Sequence, residues 1–191
     1  MADVVLFHHV QGLTEGVRRL ADELRSGGHT VHMPDFFDGA TFGSIDDGFA
    51  AVRARGEGAV DAWADAVVAQ LPAEVVYAGI SLGVMPAQRL AQTRPGAAGA
   101  LLLEACAPAS AFGERWPADV PVQVHGMEQD PFFGLDGDVD AARELVAQAR
   151  EGELFVYPGD VHLFTDSSLP EYDEAATALV VERALAFLDR I

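Results

Sequence analysis

The run Glu74-Val75-Val76-Tyr77-Ala78-Gly79-Ile80-Ser81-Leu82-Gly83 is the most informative stretch of this 191-residue chain. Its first half is continuously apolar from Val75 onward, which is typical of a buried strand. Its second half has the form Gly-x-Ser-x-Gly, which at a strand-to-helix turn exposes a serine hydroxyl at the edge of a sheet. The stretch therefore predicts Ser81 as a nucleophile, with a glycine on each side that lets the turn close.

Strands and helices alternate on both sides of this turn. Apolar runs predict strands over about 4–8, 30–34, 99–104, 120–125 and 154–157, and helical spacing predicts helices over about 14–27, 57–71, 84–93, 139–150 and 171–188. The stretch 35–48 is rich in glycine and aspartate and is predicted as a loop. The pattern predicts the α/β class, with a mainly parallel sheet covered by helices on both faces and an active site at the carboxyl ends of the strands.

Length and charge exclude several classes of chemistry and partner. A chain of this length is expected to form one domain over residues 1–191. The formal net charge is −18, and all 12 basic residues are arginine, so neither a Schiff-base lysine nor a Walker lysine exists. A negative field repels nucleic acid and anionic membranes, so we expect neither as a partner. The sequence leaves the oligomeric state open.

Apolar runs are too short for a membrane span, and residues 3–10 read as a strand instead of a signal peptide. We therefore expect a cytoplasmic protein. Cys106 is the only cysteine, which leaves it without a partner for an internal disulfide. Because it lies in the apolar run Ala100 to Cys106, a buried inert thiol is favoured over a nucleophile.

Ser81 needs an imidazole to take its proton and an acid to orient that imidazole. In hydrolases with this kind of turn, the chain order is serine, acid, histidine. Two histidines follow Ser81; His125 lies inside a predicted strand, whereas His162 lies in a loop just past one, so His162 is the predicted base. Asp130 follows the preceding strand and is the predicted acid, with Glu128 as the alternative.

Two backbone amides are expected to stabilise the developing oxyanion, one from the residue after the nucleophile and one from a loop after an early strand. Leu82 and Val10 are the predicted donors. His8 and His9 are adjacent in an extended segment, so their side chains point to opposite faces, and no acidic cluster accompanies them. We therefore predict neither a metal site nor a cofactor.

Five segments of the sequence resemble those of a known family. The loop after the first strand, the run 33–39, the turn 79–83, the segment 125–133 and the run 157–164 are similar to those of the dienelactone hydrolase family of α/β-hydrolases. The resemblance implies an α/β-hydrolase fold without a large lid domain and a triad that acts on lactone or ester carbonyls. It also implies a small-molecule ester or lactone as the substrate.

The sequence departs from the family pattern at three positions. The enzymes that give the family its name use cysteine where Ser81 stands, and a glutamate where His9 falls. They also carry an arginine for the substrate carboxylate shortly after the catalytic histidine, whereas this chain has Asp166. A serine has no thiolate to regulate, so the first two departures suit a serine esterase. The third predicts a preference for neutral substrates, because Asp166 would repel a carboxylate.

Aromatic residues in loops near the strand ends predict an apolar substrate pocket, formed by Phe36, Phe37, Phe132, Phe133 and Phe164. The alternative is that these rings pack the loops themselves. Two other functions stay open at this stage. One is a binding or scaffold protein that retains the hydrolase fold without catalysis. The other is a nucleotide-binding protein, which the absence of Gly-x-Gly-x-x-Gly after the first strand disfavours.

Overall fold

The structure, a computed structural model, describes all residues 1–191. Six strands form one sheet: β1 (Asp3–Phe7), β2 (Thr30–His32), β3 (Val76–Ile80), β4 (Gly99–Leu103), β5 (Val122–Met127) and β6 (Gly152–Tyr157). All neighbouring strands are parallel, in the order β2-β1-β3-β4-β5-β6. The helices are α1 (Glu15–Ser26), α2 (Ile45–Arg55), α3 (Ala59–Val68), α4 (Val84–Thr93), α5 (Asp138–Val146) and α6 (Glu174–Leu188). The parallel sheet confirms the predicted α/β class.

Each face of the sheet is covered by its own apolar cluster. Along β1 the side chains alternate, so that Val4 and Leu6 join one cluster while Val5 and Phe7 join the other. The first cluster includes buried residues of α1 and α6, and the second includes buried residues of α3, α4 and α5. A sheet covered on both faces explains why its strands are continuously apolar in sequence.

The strand order reverses direction between β1 and β3. From β1 the chain adds β2 on one side, and from β3 onward it adds strands on the other side. At such a switch point the loops that leave the two neighbouring strands open away from each other and form a crevice at the carboxyl end of the sheet. The loops after β1 and β3 carry Val10 and Ser81, so the fold places the predicted site in this crevice.

Helix α2 was not predicted, because residues 35–48 were expected to form a loop and nothing was expected at 49–55. The helix has little apolar face to reveal it: only Gly48 is buried among its residues. Local signals were present. Ser44 caps the helix by accepting a hydrogen bond from Asp47 N, Asp46 and Asp47 lie in the first turn, and arginines lie in the last turn. The remaining predicted elements are found with ends shifted by a few residues.

Both glycines of the turn at Ser81 are required by close backbone packing. A Cβ atom on Gly79 would lie 2.2 Å from Gly83 O, and a Cβ atom on Gly83 would lie 2.1 Å from Phe7 O. Neither distance is tolerable, and in each case the obstacle is backbone. Gly83 thus allows the start of α4 to rest directly on the end of β1.

We expect Gly83→Ala to lower the free energy of unfolding by about 3 kcal/mol, because the new methyl group has to displace backbone of β1. Gly43→Ala is the matched control, since a Cβ atom there meets nothing within 4 Å. It should change stability by less than about 0.5 kcal/mol. Urea unfolding of both variants measures the difference, and equal stability of the two would contradict the packing argument.

Candidate active site

Ser81 follows β3 directly and precedes α4 by a single turn of 3-10 helix, Ser81–Gly83. Its φ angle is +50°, a left-handed conformation that non-glycine residues rarely adopt. This conformation turns the chain sharply between strand and helix, as the Gly-x-Ser-x-Gly pattern predicted.

None of the helices of the protein has the length and apolar character needed to cross a membrane.

The structure brings Ser81, His162 and Asp130 into one hydrogen-bonded chain. His162 Nε2 lies 2.8 Å from Ser81 Oγ, and His162 Nδ1 lies 2.7 Å from Asp130 Oδ2. A carboxylate only accepts hydrogen bonds, so Nδ1 carries the proton that it donates to Asp130. Nε2 of the neutral ring is then free to accept the hydrogen bond of the Ser81 hydroxyl. This is the arrangement needed for the imidazole to take the serine proton.

Asp130 is fully buried and held by its own loop. Its Oδ1 accepts hydrogen bonds from the backbone N–H groups of Phe132 (2.8 Å) and Phe133 (3.3 Å), which leaves Oδ2 for His162. The alternative acid, Glu128, is exposed and makes no hydrogen bond to His162. Asp130 therefore occupies the place of the orienting acid.

His125 is buried in the sheet and does not approach Ser81. Its Nδ1 contacts the hydroxyl of Tyr157 and its Nε2 contacts the side-chain oxygen of Gln123, each at 2.8 Å. Burial lowers the pKa of His125 to about 3, so the ring is neutral at physiological pH. Its role is to crosslink β5 and β6 inside the fold.

The two predicted oxyanion donors lie on neighbouring elements. Leu82 is in the first turn after Ser81, and Val10 is buried in the loop after β1, which packs against Gly83. The N–H group of Val10 donates no hydrogen bond within the protein. A buried amide without an acceptor is rare, and the predicted role of the Val10 N–H group as an oxyanion donor would account for it.

His8 and His9 fix the position of this loop from opposite sides, as their alternation in an extended segment predicted. His8 accepts a hydrogen bond from Phe36 N at 3.0 Å and donates one to His9 O at 2.7 Å. Burial lowers the pKa of His8 to about 4, so it is neutral. No group of three histidine, cysteine, aspartate or glutamate side chains in the structure is placed to hold a metal ion.

His9 and Asp166 depart from the family pattern at two positions that contact each other. His9 Nδ1 accepts a hydrogen bond from Gln11 N, so the proton is on Nε2, which donates to Asp166 Oδ2 at 2.7 Å. Burial alone raises the pKa of Asp166, but hydrogen bonds from His9, Ser168 and Thr14 outweigh it and lower the pKa to about 2. Asp166 is 1% exposed. It therefore links the loop after β1 to the His162 loop and does not face a substrate.

Four of the five phenylalanines predicted to line a pocket do not do so. Phe133 and Phe164 are fully buried in the two apolar clusters, where Phe133 fills the space above Gly126. Phe36 and Phe37 pack in an aromatic cluster around Trp63. The prediction was wrong for these four, because a large ring buries more apolar area against other rings than at an open surface. Phe132 alone is exposed, and its ring lies 4.6 Å from that of His162.

Two clefts lie beside His162 and Leu82. One, of about 520 Å³, contacts His162 and is lined in part by Gln11, Ile45, Phe132 and Leu169. The other, of about 510 Å³, contacts Leu82 and is lined in part by Val52, Val60, Met85 and Phe112. Of these lining residues only Phe132 was predicted, and several of the others belong to α2 or to its flanks, where no helix was predicted.

The comparison with protein families agrees with this geometry. The family model described as the dienelactone hydrolase family matches residues 1–191. The chain belongs to the dienelactone hydrolase family. This confirms the resemblance identified in the sequence and places the protein among the α/β-hydrolases.

Several solved structures share the fold of this family member. A dienelactone hydrolase-like promiscuous phosphotriesterase from metagenomic libraries has a TM-score of 0.74 at 20% identity, covering 100% of this chain and 86% of that one. The esterase PE8 has 0.67 at 18% identity, covering 100% and 92%. The dienelactone hydrolase of Anabaena variabilis has 0.64 at 15% identity, covering 99% and 86%. At these identities the likeness shows the α/β-hydrolase fold, which confirms the predicted fold class.

Proposed function

We propose that this family member is a serine hydrolase that cleaves carboxylic esters or lactones through an acyl-enzyme. The observation that carries the proposal is the hydrogen-bonded chain from Ser81 through His162 to Asp130. A binding or scaffold protein does not need this arrangement, in which a buried aspartate is hydrogen-bonded to a histidine and the histidine accepts a hydrogen bond from a serine in a strained backbone conformation. The membership in a hydrolase family supports the same conclusion.

The proposed reaction proceeds in two halves. Ser81 Oγ attacks the carbonyl carbon while His162 Nε2 takes its proton, and the carbonyl oxygen becomes an oxyanion stabilised by the amides of Val10 and Leu82. The oxyanion collapses, the bond to the leaving oxygen breaks, and His162 gives that oxygen the proton. Water then attacks the acyl-enzyme by the same route, which releases the acid and regenerates Ser81. Asp130 keeps the ring in the required tautomer throughout.

The proposed substrate is a small neutral ester or lactone. Three carboxylates, Asp46, Asp160 and Glu171, line the cleft beside His162, and no arginine lines it. Arg53 is the one basic residue that lines the cleft beside Leu82, where Glu57 and Asp61 accompany it. The proposed preference for neutral substrates therefore rests on the carboxylates that line these clefts, because Asp166 is buried and does not face them.

We propose the cytoplasm as the location, since the chain has a single cysteine and no disulfide to maintain.

Ser81→Ala should lower kcat for hydrolysis of a p-nitrophenyl ester by about 10⁵-fold or more, the scale expected when a triad nucleophile is lost. Ser110→Ala is the matched control, because Ser110 is an exposed serine away from the turn, and it should retain full activity. Melting curves establish that both variants are folded. Undiminished turnover in Ser81→Ala would contradict the proposed function.

Asp130→Asn should lower kcat by about 10³- to 10⁴-fold. The asparagine oxygen can keep the backbone hydrogen bonds from Phe132 and Phe133, but its NH₂ group then faces His162 Nδ1 and favours the wrong tautomer of the ring. Glu128→Gln removes a nearby exposed carboxylate as the control and should change kcat by less than about twofold. The comparison uses the same ester assay, and the reverse ranking would assign the acid to Glu128.

Neutral esters should be cleaved with higher kcat/KM than matched esters that carry a carboxylate. The difference should narrow from low to moderate salt, because salt screens the acidic rim of the cleft. Arg53→Ala should widen the difference by removing the one cation beside Leu82. A clear preference for the carboxylated substrate at both salt concentrations would contradict the assignment of a neutral substrate.

A further inference from the structure

Glu104 is a fully buried carboxyl group with one oxygen left unpartnered. Its Oε1 accepts hydrogen bonds from the backbone N–H (3.0 Å) and the hydroxyl (2.8 Å) of Thr165. Its Oε2 is buried without any hydrogen-bond partner, and no other carboxylate oxygen of the protein shares this condition. Burying such an oxygen costs free energy, so the position calls for an explanation.

The strand register places Glu104 beside the candidate active site. Leu103, the last residue of β4, pairs with Ile80 on one side and with His125 on the other. Ser81 follows Ile80 directly, so Glu104 and Ser81 leave neighbouring strands at the same level. Thr165, which Glu104 holds, is three residues after His162.

Backbone strain is concentrated at the same place. Four non-glycine residues have positive φ, and three of these belong to the site: Ser81 (+50°), Glu104 (+66°) and Leu163 (+62°), which follows His162. Each such conformation is strained and persists only where the surrounding structure imposes it. Glu104 is thus held in a strained conformation at the end of β4, which lies between β3 and β5, the strands that lead to Ser81 and Asp130.

The surroundings of Glu104 shift the pKa of its carboxyl group in opposite directions. Burial raises the pKa of its carboxyl group, whereas the charge of His162, the two hydrogen bonds from Thr165 and the charge of His9 lower it. The net shift of the pKa is upward, so Glu104 holds its proton to a higher pH than an ordinary glutamate does. The ionisable groups on the elements around it include His9, His125, Asp130, Asp138, His162 and Asp166, of which His125 is neutral and Asp138 has a pKa raised by burial.

We propose that Glu104 is a positioning residue for His162, which it holds through Thr165 and whose imidazolium form it stabilises when its own carboxyl group is ionised. The proposal rests on the proposed function, since the imidazolium forms when His162 takes the Ser81 proton. Glu104 exchanges no proton with the substrate. Its ionisation follows the pH of the solution, and the ionised enzyme is the faster form.

Glu104→Gln tests the charge while retaining an acceptor for Thr165. For the wild type, the profile of kcat against pH should contain a rising step that belongs to Glu104. The variant should lack that step and show a plateau about tenfold lower, because the carboxylate no longer stabilises the imidazolium. A role confined to holding Thr165 would leave both the number of steps and the plateau unchanged, and that result would overturn the proposal.

Thr165→Val provides an independent arm that does not depend on the folding of Glu104→Gln. It removes a hydrogen bond that favours the charged carboxyl group, so the step belonging to Glu104 should move to higher pH. A Glu104 step at an unchanged pH would also overturn the proposal. Activity that survives in Ser81→Ala would instead refute the proposed function, so the two failures are distinguishable.

Thermal stability provides a further measurement, in which Glu104→Gln has the opposite effect from its effect on kcat. The folded state holds the proton of Glu104 to a higher pH than the unfolded chain does, so its ionisation destabilises the wild type as pH rises above the ordinary glutamate range. As pH rises above the ordinary glutamate range, the Tm of Glu104→Gln relative to that of the wild type should therefore increase, while its kcat relative to that of the wild type falls. A purely structural residue would lower both together.

Discussion

A single proton on Nδ1 of His162 determines what the other groups of this site can do. Because that proton is donated to Asp130, Nε2 has a free lone pair directed at Ser81 Oγ, 2.8 Å away. The three residues come from loops after three different strands, so the arrangement exists only if β3, β5 and β6 keep their register in the sheet. The parallel sheet is therefore the support that makes the hydrogen-bonded chain possible.

Buried polar contacts fix the loops that the sheet alone does not. His8 holds the loop after β1 to Phe36, and His9 holds it to Asp166 in the His162 loop. Asp166 also excludes any side chain at position 16, since a Cβ atom on Gly16 would lie 1.7 Å from Asp166 Oδ1. The departures from the family pattern at His9 and Asp166 are thus one structural unit. This unit joins the loop after β1 to the loop that carries His162, and Asp166 is buried within it.

The sequence was sufficient for the fold class and for the three residues of the hydrogen-bonded chain, because both depend on order along the chain. Apolar runs locate strands, and loops at strand ends locate Ser81, Asp130 and His162. What it missed depends on contacts between distant segments. Helix α2 has little apolar face, the buried phenylalanines are indistinguishable in sequence from exposed ones, and Glu104 gains its meaning only from Thr165, 61 residues later.

Labelling with a fluorophosphonate tests most directly whether Ser81 is an activated nucleophile. An ordinary serine is inert to this reagent, whereas a serine whose proton is taken by an imidazole displaces fluoride and keeps the phosphonyl group. Mass spectrometry of the digested folded protein should find one label per chain, on Ser81, and none after heat denaturation. A label on another residue, or an unlabelled protein that still hydrolyses esters, would contradict the account.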